Sequence, residues 1–191
     1  LSSATVSESH STQVTLTIDA KKTGSQSEPL SWTYGVAVKT ENLEEVFTLH
    51  LTSHSKVQVP SNVYIAEKWI AMLAAAVTCT VKHLNIKNVK NIKLYICQDL
   101  SYSRELFLKT QTVLIRTLSK IMNVPPQIIN VEFVTRDSAR TKRSVAEQYK
   151  RAHRAANKKD IDIFISPQEV KTTLSIVHSE WLPDKQKPKN L

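Results

Sequence analysis

Gln13–Asp19 reads QVTLTID and Val63–Leu84 reads VYIAEKWIAMLAAAVTCTVKHL. In the first stretch Val14, Leu16 and Ile18 alternate with Thr15, Thr17 and Asp19, the period of a half-buried strand that ends on a carboxylate. In the second, Ala66, Ile70, Leu73, Ala74 and Val77 share one side of a helix, and Trp69, Met72, Ala76 and Cys79 widen the apolar surface. So broad a stripe predicts a helix laid flat on a sheet and covered elsewhere as well. Ser61 is its expected cap, Glu67 lies in its first turns, and it ends near His83–Asn85. Acids at the edges of otherwise apolar elements are what a divalent-metal site on a sheet needs.

Outward from these stretches, Trp32–Lys39 (WTYGVAVK) and Glu45–Leu51 (EVFTLHL) read as two more strands, completing an antiparallel meander. Ile92–Cys97 (IKLYIC) and Ile128–Val134 (IINVEFV) are a fourth and a fifth. Between them lie two helical stretches, a short one and then roughly 109–122, stopped by Asn123-Val-Pro-Pro. A basic helix is expected over Ser144–Lys158, a candidate strand at Ile161–Ile165, and a helix from about Pro167 to Ser175. The fold class is α/β: a mixed five-stranded sheet, three antiparallel strands and then parallel ones, flanked by helices. The expected organisation is a flexible segment at 1–11, a domain at 12–158, a C-terminal extension at 159–181 and a disordered basic tail at 182–191.

A length of 191 residues suits one domain with a sizeable core. Lys68, Thr78, Thr80, Lys82 and His83 interrupt the longest apolar run, so no membrane span is expected. The polar start, LSSATVSESH, lacks the pattern of a signal peptide. The absence of an initial Met points to a piece of a longer polypeptide, with an intracellular or virion-associated location and other domains of a larger assembly as partners. Cys79 and Cys97 fall in apolar elements and read as buried thiols. Glycine occurs only twice, at Gly24 and Gly35, which excludes Walker loops and dinucleotide fingerprints. With 26 Lys+Arg against 17 Asp+Glu the net charge is +9, which suits a polyanion, nucleic acid first.

Four element boundaries each carry an acid: Asp19, Glu67, Asp99 and Glu147. Such carboxylates would repel one another unless a hard cation neutralised them. The pattern resembles ribonuclease H and the wider ribonuclease H-like superfamily. The family's first strand ends in Asp, usually within Asp-Gly-Ser, and here it reads Ile18-Asp19-Ala20. Gly35 is retained in the second strand. Asn62 precedes Ala66-Glu67 at the first helix, and Gln98-Asp99-Leu100 follows the fourth strand. Val134-Thr-Arg-Asp137-Ser138-Ala139, then Ala146-Glu147, stands in the frame of the last motif. Ala20 replaces a glycine, Asp137 stands where the family's mobile His helps release product, and Glu147 replaces the final Asp.

The resemblance, over about residues 12–158, implies a metal-dependent endonuclease that cuts the RNA strand of an RNA–DNA hybrid. Asp19, Glu67, Asp99 and Glu147 would hold two Mg²⁺ or Mn²⁺ ions. Arg136, Arg140, Lys142, Arg143, Lys150, Arg151 and Arg154 form a run poor in acids, expected to contact the phosphates of a hybrid or duplex. An ordinary solvated face is the plainer expectation for that run. The departures from the family pattern favour an alternative, a domain without turnover that binds nucleic acid or protein within an assembly. A lesser alternative is an integrase- or transposase-like strand transferase built on Asp19, Asp99 and Glu132. The histidines, His153 and His178 included, show no ligand spacing and are expected at surfaces and boundaries. Trp32, Tyr34 and Trp69 are expected in the core.

Overall fold

In the computed structural model, which describes residues 12–22, 28–52, 57–97, 103–135 and 143–182, the alternation around Leu16 becomes β1 (Thr12–Lys21). β2 (Thr33–Lys39) and β3 (Glu44–Leu51) follow as antiparallel neighbours, placing Asp19 opposite Gly35 and Gly35 opposite Thr48. β4 (Val89–Cys97) and β5 (Ile129–Val134) run parallel to β1 on its other side, with Leu16 opposite Leu94 and Leu94 opposite Val131. The meander and the parallel strands are those expected. The sheet has six strands, not five, because β6 (Ile163–Ile165) adds in parallel to β3. Its order is β5-β4-β1-β2-β3-β6. Asp162 clamps the new edge: its amide donates to Thr48 O at 2.9 Å and its carboxylate accepts the Thr48 amide at 2.8 Å.

Side chains alternate across a strand, so each strand assigns its residues to two faces. Val14, Leu16, Ile18, Val36, Val38, Ile92, Leu94 and Val131 go to one face and form the main core. α1 (Ile65–His83) covers that core, together with α2 (Arg104–Met122) and α4 (Pro167–Trp181), which pack on α1 and on each other. Thr15, Thr17 and Asp19 go to the other face, under α3 (Arg143–Ala156). The C-terminal extension therefore completes the core: Val170, Leu174, Val177 and Trp181 of α4 are buried. The helix runs past Ser175 because this apolar spacing continues.

The starts of α1 and α2 differ from expectation. α1 begins at Ile65 with Tyr64 as its cap, not Ser61, because the Val63 amide bonds to Pro60 O at 3.1 Å and closes a turn first. α2 is one continuous helix, because Ser103 Oγ accepts the Leu106 amide at 3.3 Å and starts it a turn and a half before Lys109. It stops as expected, with Asn123 in the left-handed region (φ 53°) ahead of two prolines. Among the described residues no helix is long and apolar enough to cross a membrane.

α3 lies unusually close to the sheet. A Cβ at Gly35 would stand 2.0 Å from Ala152 O and 2.4 Å from Ala156 N, both backbone atoms that cannot rotate away. Thr48 Oγ1, one strand over, donates to Ala155 O at 2.9 Å. The alanines keep the helix flank thin and the glycine removes the last obstacle. Gly35→Ala is expected to destabilise the fold by more than about 2 kcal/mol, the upper part of the range for overpacking. Urea unfolding followed by circular dichroism measures it, and a midpoint equal to wild type would show that α3 can lift off without loss.

Candidate functional site

Asp19 sits two residues from the end of β1, on the face covered by α3, and is 5 % exposed. Its Oδ2 lies 2.7 Å from His153 Nδ1 on α3. That imidazole is held a second way, stacked on Tyr149 with ring planes 4° apart. Its side chain is 59 % exposed, so it covers the buried acid from the solvent side.

The buried residues of α3 locate the rest of the interface. Val145 packs with Tyr95 and Cys97 of β4 and Val134 of β5. Ala152 sits over Gly35 of β2. Gln148 lies between them on the same side of the helix, and β1 lies between β4 and β2, so Gln148 is set above β1. It is 7 % exposed, and Thr17, on the face of β1 that α3 covers, is 0 % exposed. Gln148 Oε1 and Thr17 Oγ1 have no hydrogen-bond partner. An orphaned buried polar atom costs roughly 1–3 kcal/mol, and here two such oxygens share one interface with a carboxylate.

Glu67 has a different environment. It is 0 % exposed, in the α1–α4 contact on the opposite side of the sheet from α3. Its Oε2 accepts the Tyr64 amide at 2.8 Å and its Oε1 lies 2.5 Å from His178 Nδ1 on α4. One oxygen therefore caps α1 and the other ties α1 to α4. The structure gives Asp19 and Glu67 each its own histidine and does not join them at a shared centre. Neither histidine had a sequence signal, since the partners are 134 and 111 positions apart.

Glu147 is exposed on the outer side of α3, one position from the inward-facing Gln148. Lys150 and Arg154 are exposed there as well, as a phosphate-contacting face requires. Arg151 is instead drawn to Glu44, Nη1 to Oε2 at 2.9 Å, beside the Lys39–Glu44 pair at 2.8 Å. Lys39 first, then Arg151, hold the Glu44 carboxyl below its usual range. α3 begins at Arg143; Asp99, Arg136, Asp137, Arg140 and Lys142 lie outside the described residues. Glu132 lies in β5 opposite Tyr95. Cys79 and Cys97 are buried thiols, as expected. Burial, and then the Glu169 carboxylate beside it, push the Cys79 thiol up to about 12, so it stays protonated and is no nucleophile at neutral pH.

Among the described residues no three His, Cys, Asp or Glu side chains are grouped to hold a metal ion. The oxygen donors beside Asp19 nevertheless suit a hard cation such as Mg²⁺ or Mn²⁺, whereas Glu67 has both oxygens engaged. Glu67→Ala is expected to destabilise the protein by about 2–4 kcal/mol, through loss of the cap and of the carboxylate bonded to a partly buried His178. Thermal or urea unfolding reads this directly, and a loss below about 0.5 kcal/mol would contradict a structural role for the acid. Compared with protein-family models, with curated proteins and with solved structures, the chain matches none.

Proposed function

We propose that this chain is a ribonuclease H-like, metal-dependent endonuclease acting on the RNA strand of RNA–DNA hybrids, with its centre at Asp19 on the α3 side of the sheet. The observation that carries this reading is a buried carboxylate near the carboxyl end of an inner strand, facing a basic helix. A meander running into parallel strands, with the acid at the end of the first, is the arrangement expected from the motif order. Ligands of open α/β sheets commonly sit at the carboxyl ends of the parallel strands, which is where Asp19 lies relative to β4 and β5.

Asp19 would hold the cation, and when bound Mg²⁺ or Mn²⁺ supplies Lewis acidity at the scissile phosphate. His153 fixes one Asp19 oxygen, and α3 closes the interface against water. Lys150 and Arg154 would meet the phosphates of the bound strand. Glu67 stands apart from this chemistry as the link between α1 and α4. That engagement favours a second reading, a domain that binds nucleic acid without turnover, since it removes one acid from the expected set.

The test is cleavage of an end-labelled RNA–DNA hybrid in Mg²⁺ or Mn²⁺ by wild type and Asp19→Asn. Removing outer partners of a metal alone costs 10–100-fold, so loss of a ligand should lower the rate by more than about 100-fold, with hybrid binding retained. Equal cutting by both proteins would reject the site. Binding without cutting by the folded wild type would select the second reading. Lys150→Ala combined with Arg154→Ala is expected to reduce the slope of log affinity against log salt by about 2. An unchanged slope would remove α3 from the nucleic-acid surface.

A further inference from the structure

We propose that the interface of α3 with β1 binds a divalent cation through Asp19, Thr17 Oγ1 and Gln148 Oε1, so that α3 contributes a neutral amide oxygen rather than the Glu147 carboxylate. This rests on the cation requirement of the proposed function, and it assigns ligands that the motif pattern does not contain.

The two orphaned oxygens carry the argument. Thr17 Oγ1 and Gln148 Oε1 are buried in the interface of α3 with β1 and bond neither to each other nor to any other group. A guest that donates to both, or draws on the lone pairs of both, would supply the missing partner. Thr17 and Asp19 are two residues apart on one face of β1, roughly 6.8 Å along the strand, so the guest lies beside a negative charge. A water would satisfy the oxygens and leave that charge with only the His153 contact. A hard cation satisfies the oxygens and the charge together, taking oxygen ligands and keeping several waters of its own. Glu147 is turned outward by one helix position, about 100°, and its exposed carboxylate keeps its hydration where it stands.

Mn²⁺ is the probe, titrated calorimetrically into wild type, Thr17→Val, Gln148→Met, Gln148→Glu and Glu147→Gln. Thr17→Val and Gln148→Met should each weaken Mn²⁺ binding by about 10-fold or more, and Glu147→Gln should leave it within about 2-fold. Gln148→Glu keeps the oxygen and adds charge, so it should tighten binding, and it decides the matter should Gln148→Met fail to fold. Without metal, Thr17→Val and Gln148→Met should melt at or above the wild-type temperature, because each removes a buried polar atom that lacks a partner. With Mn²⁺ the wild type should gain more in melting temperature than either of them. Wild type that binds no Mn²⁺ overturns the inference, as does binding that Glu147→Gln weakens as much as Gln148→Met. Hybrid cleavage run in parallel separates the two claims. Cutting by wild type with Mn²⁺ affinity unchanged in Thr17→Val and Gln148→Met leaves the function standing and the ligand set refuted. Mn²⁺ bound through these residues without cutting does the reverse.

Discussion

The closeness of α3 to β2 is the constraint on which the rest of this molecule depends. Gly35 lets the backbone of Ala152 and Ala156 descend to a distance no side chain would permit. Thr48 Oγ1 then reaches Ala155 O, and Asp162 pins the Thr48 backbone through its own amide and its carboxylate. The row Asp19–Gly35–Thr48 thus acts as a cradle for one helix. Once the helix is seated, its angular spacing decides what meets β1: His153 falls on Asp19, and Gln148 is turned inward above the strand. A larger residue at position 35 would raise the helix, and the polar atoms of this interface would admit bulk water.

Two buried carboxylates in one small domain invite the same interpretation, but their surroundings separate them. Glu67 has each oxygen committed, one to a backbone amide at the start of α1 and one to an imidazole on α4. A helix N-terminus favours a negative charge, and the bond to His178 joins two helices that the apolar core already brings together. This is a tie between elements, with each oxygen engaged. Asp19 is bonded to His153, and two oxygens in the same interface have no partner. Satisfaction in the first case and deficit in the second set the two acids apart.

The legible parts of the sequence were those where period and length agree. β1 to β5 and α1 each carry several turns of unbroken pattern, and burial enforces the register, since a slip by one residue would expose the core face. β6 was marginal for a physical reason: three residues hold too little alternation to distinguish a strand from a loop, and its pairing depends on Asp162 and Thr48. Tyr64 as a cap was hidden because the bond that matters runs from its backbone to Glu67, which any residue at that position could supply. Of the site, Asp19 was legible as the acid that ends an alternating strand. His153 was not, because a side chain that reaches across the interface from a different element leaves no spacing behind it. Gln148 carried no signal either, because a neutral amide beside an acid has no charge to set it apart in the sequence.

An acid is read as a ligand because its charge suits a cation in any setting, but burial reverses the preference wherever the helix turns the acid outward. At Glu147 and Gln148 the choice between adjacent positions is made by α3 geometry, with Val145, Gln148 and Ala152 on the inner side and Glu147, Lys150 and Arg154 outside. An amide carbonyl is a weaker ligand than a carboxylate, yet it enters a dry interface at a much smaller desolvation penalty than an ion does. A site containing one buried charge and two neutral oxygens can therefore form between a helix and a sheet packed as closely as these. Four carboxylates in the same volume would force them apart until a cation arrived.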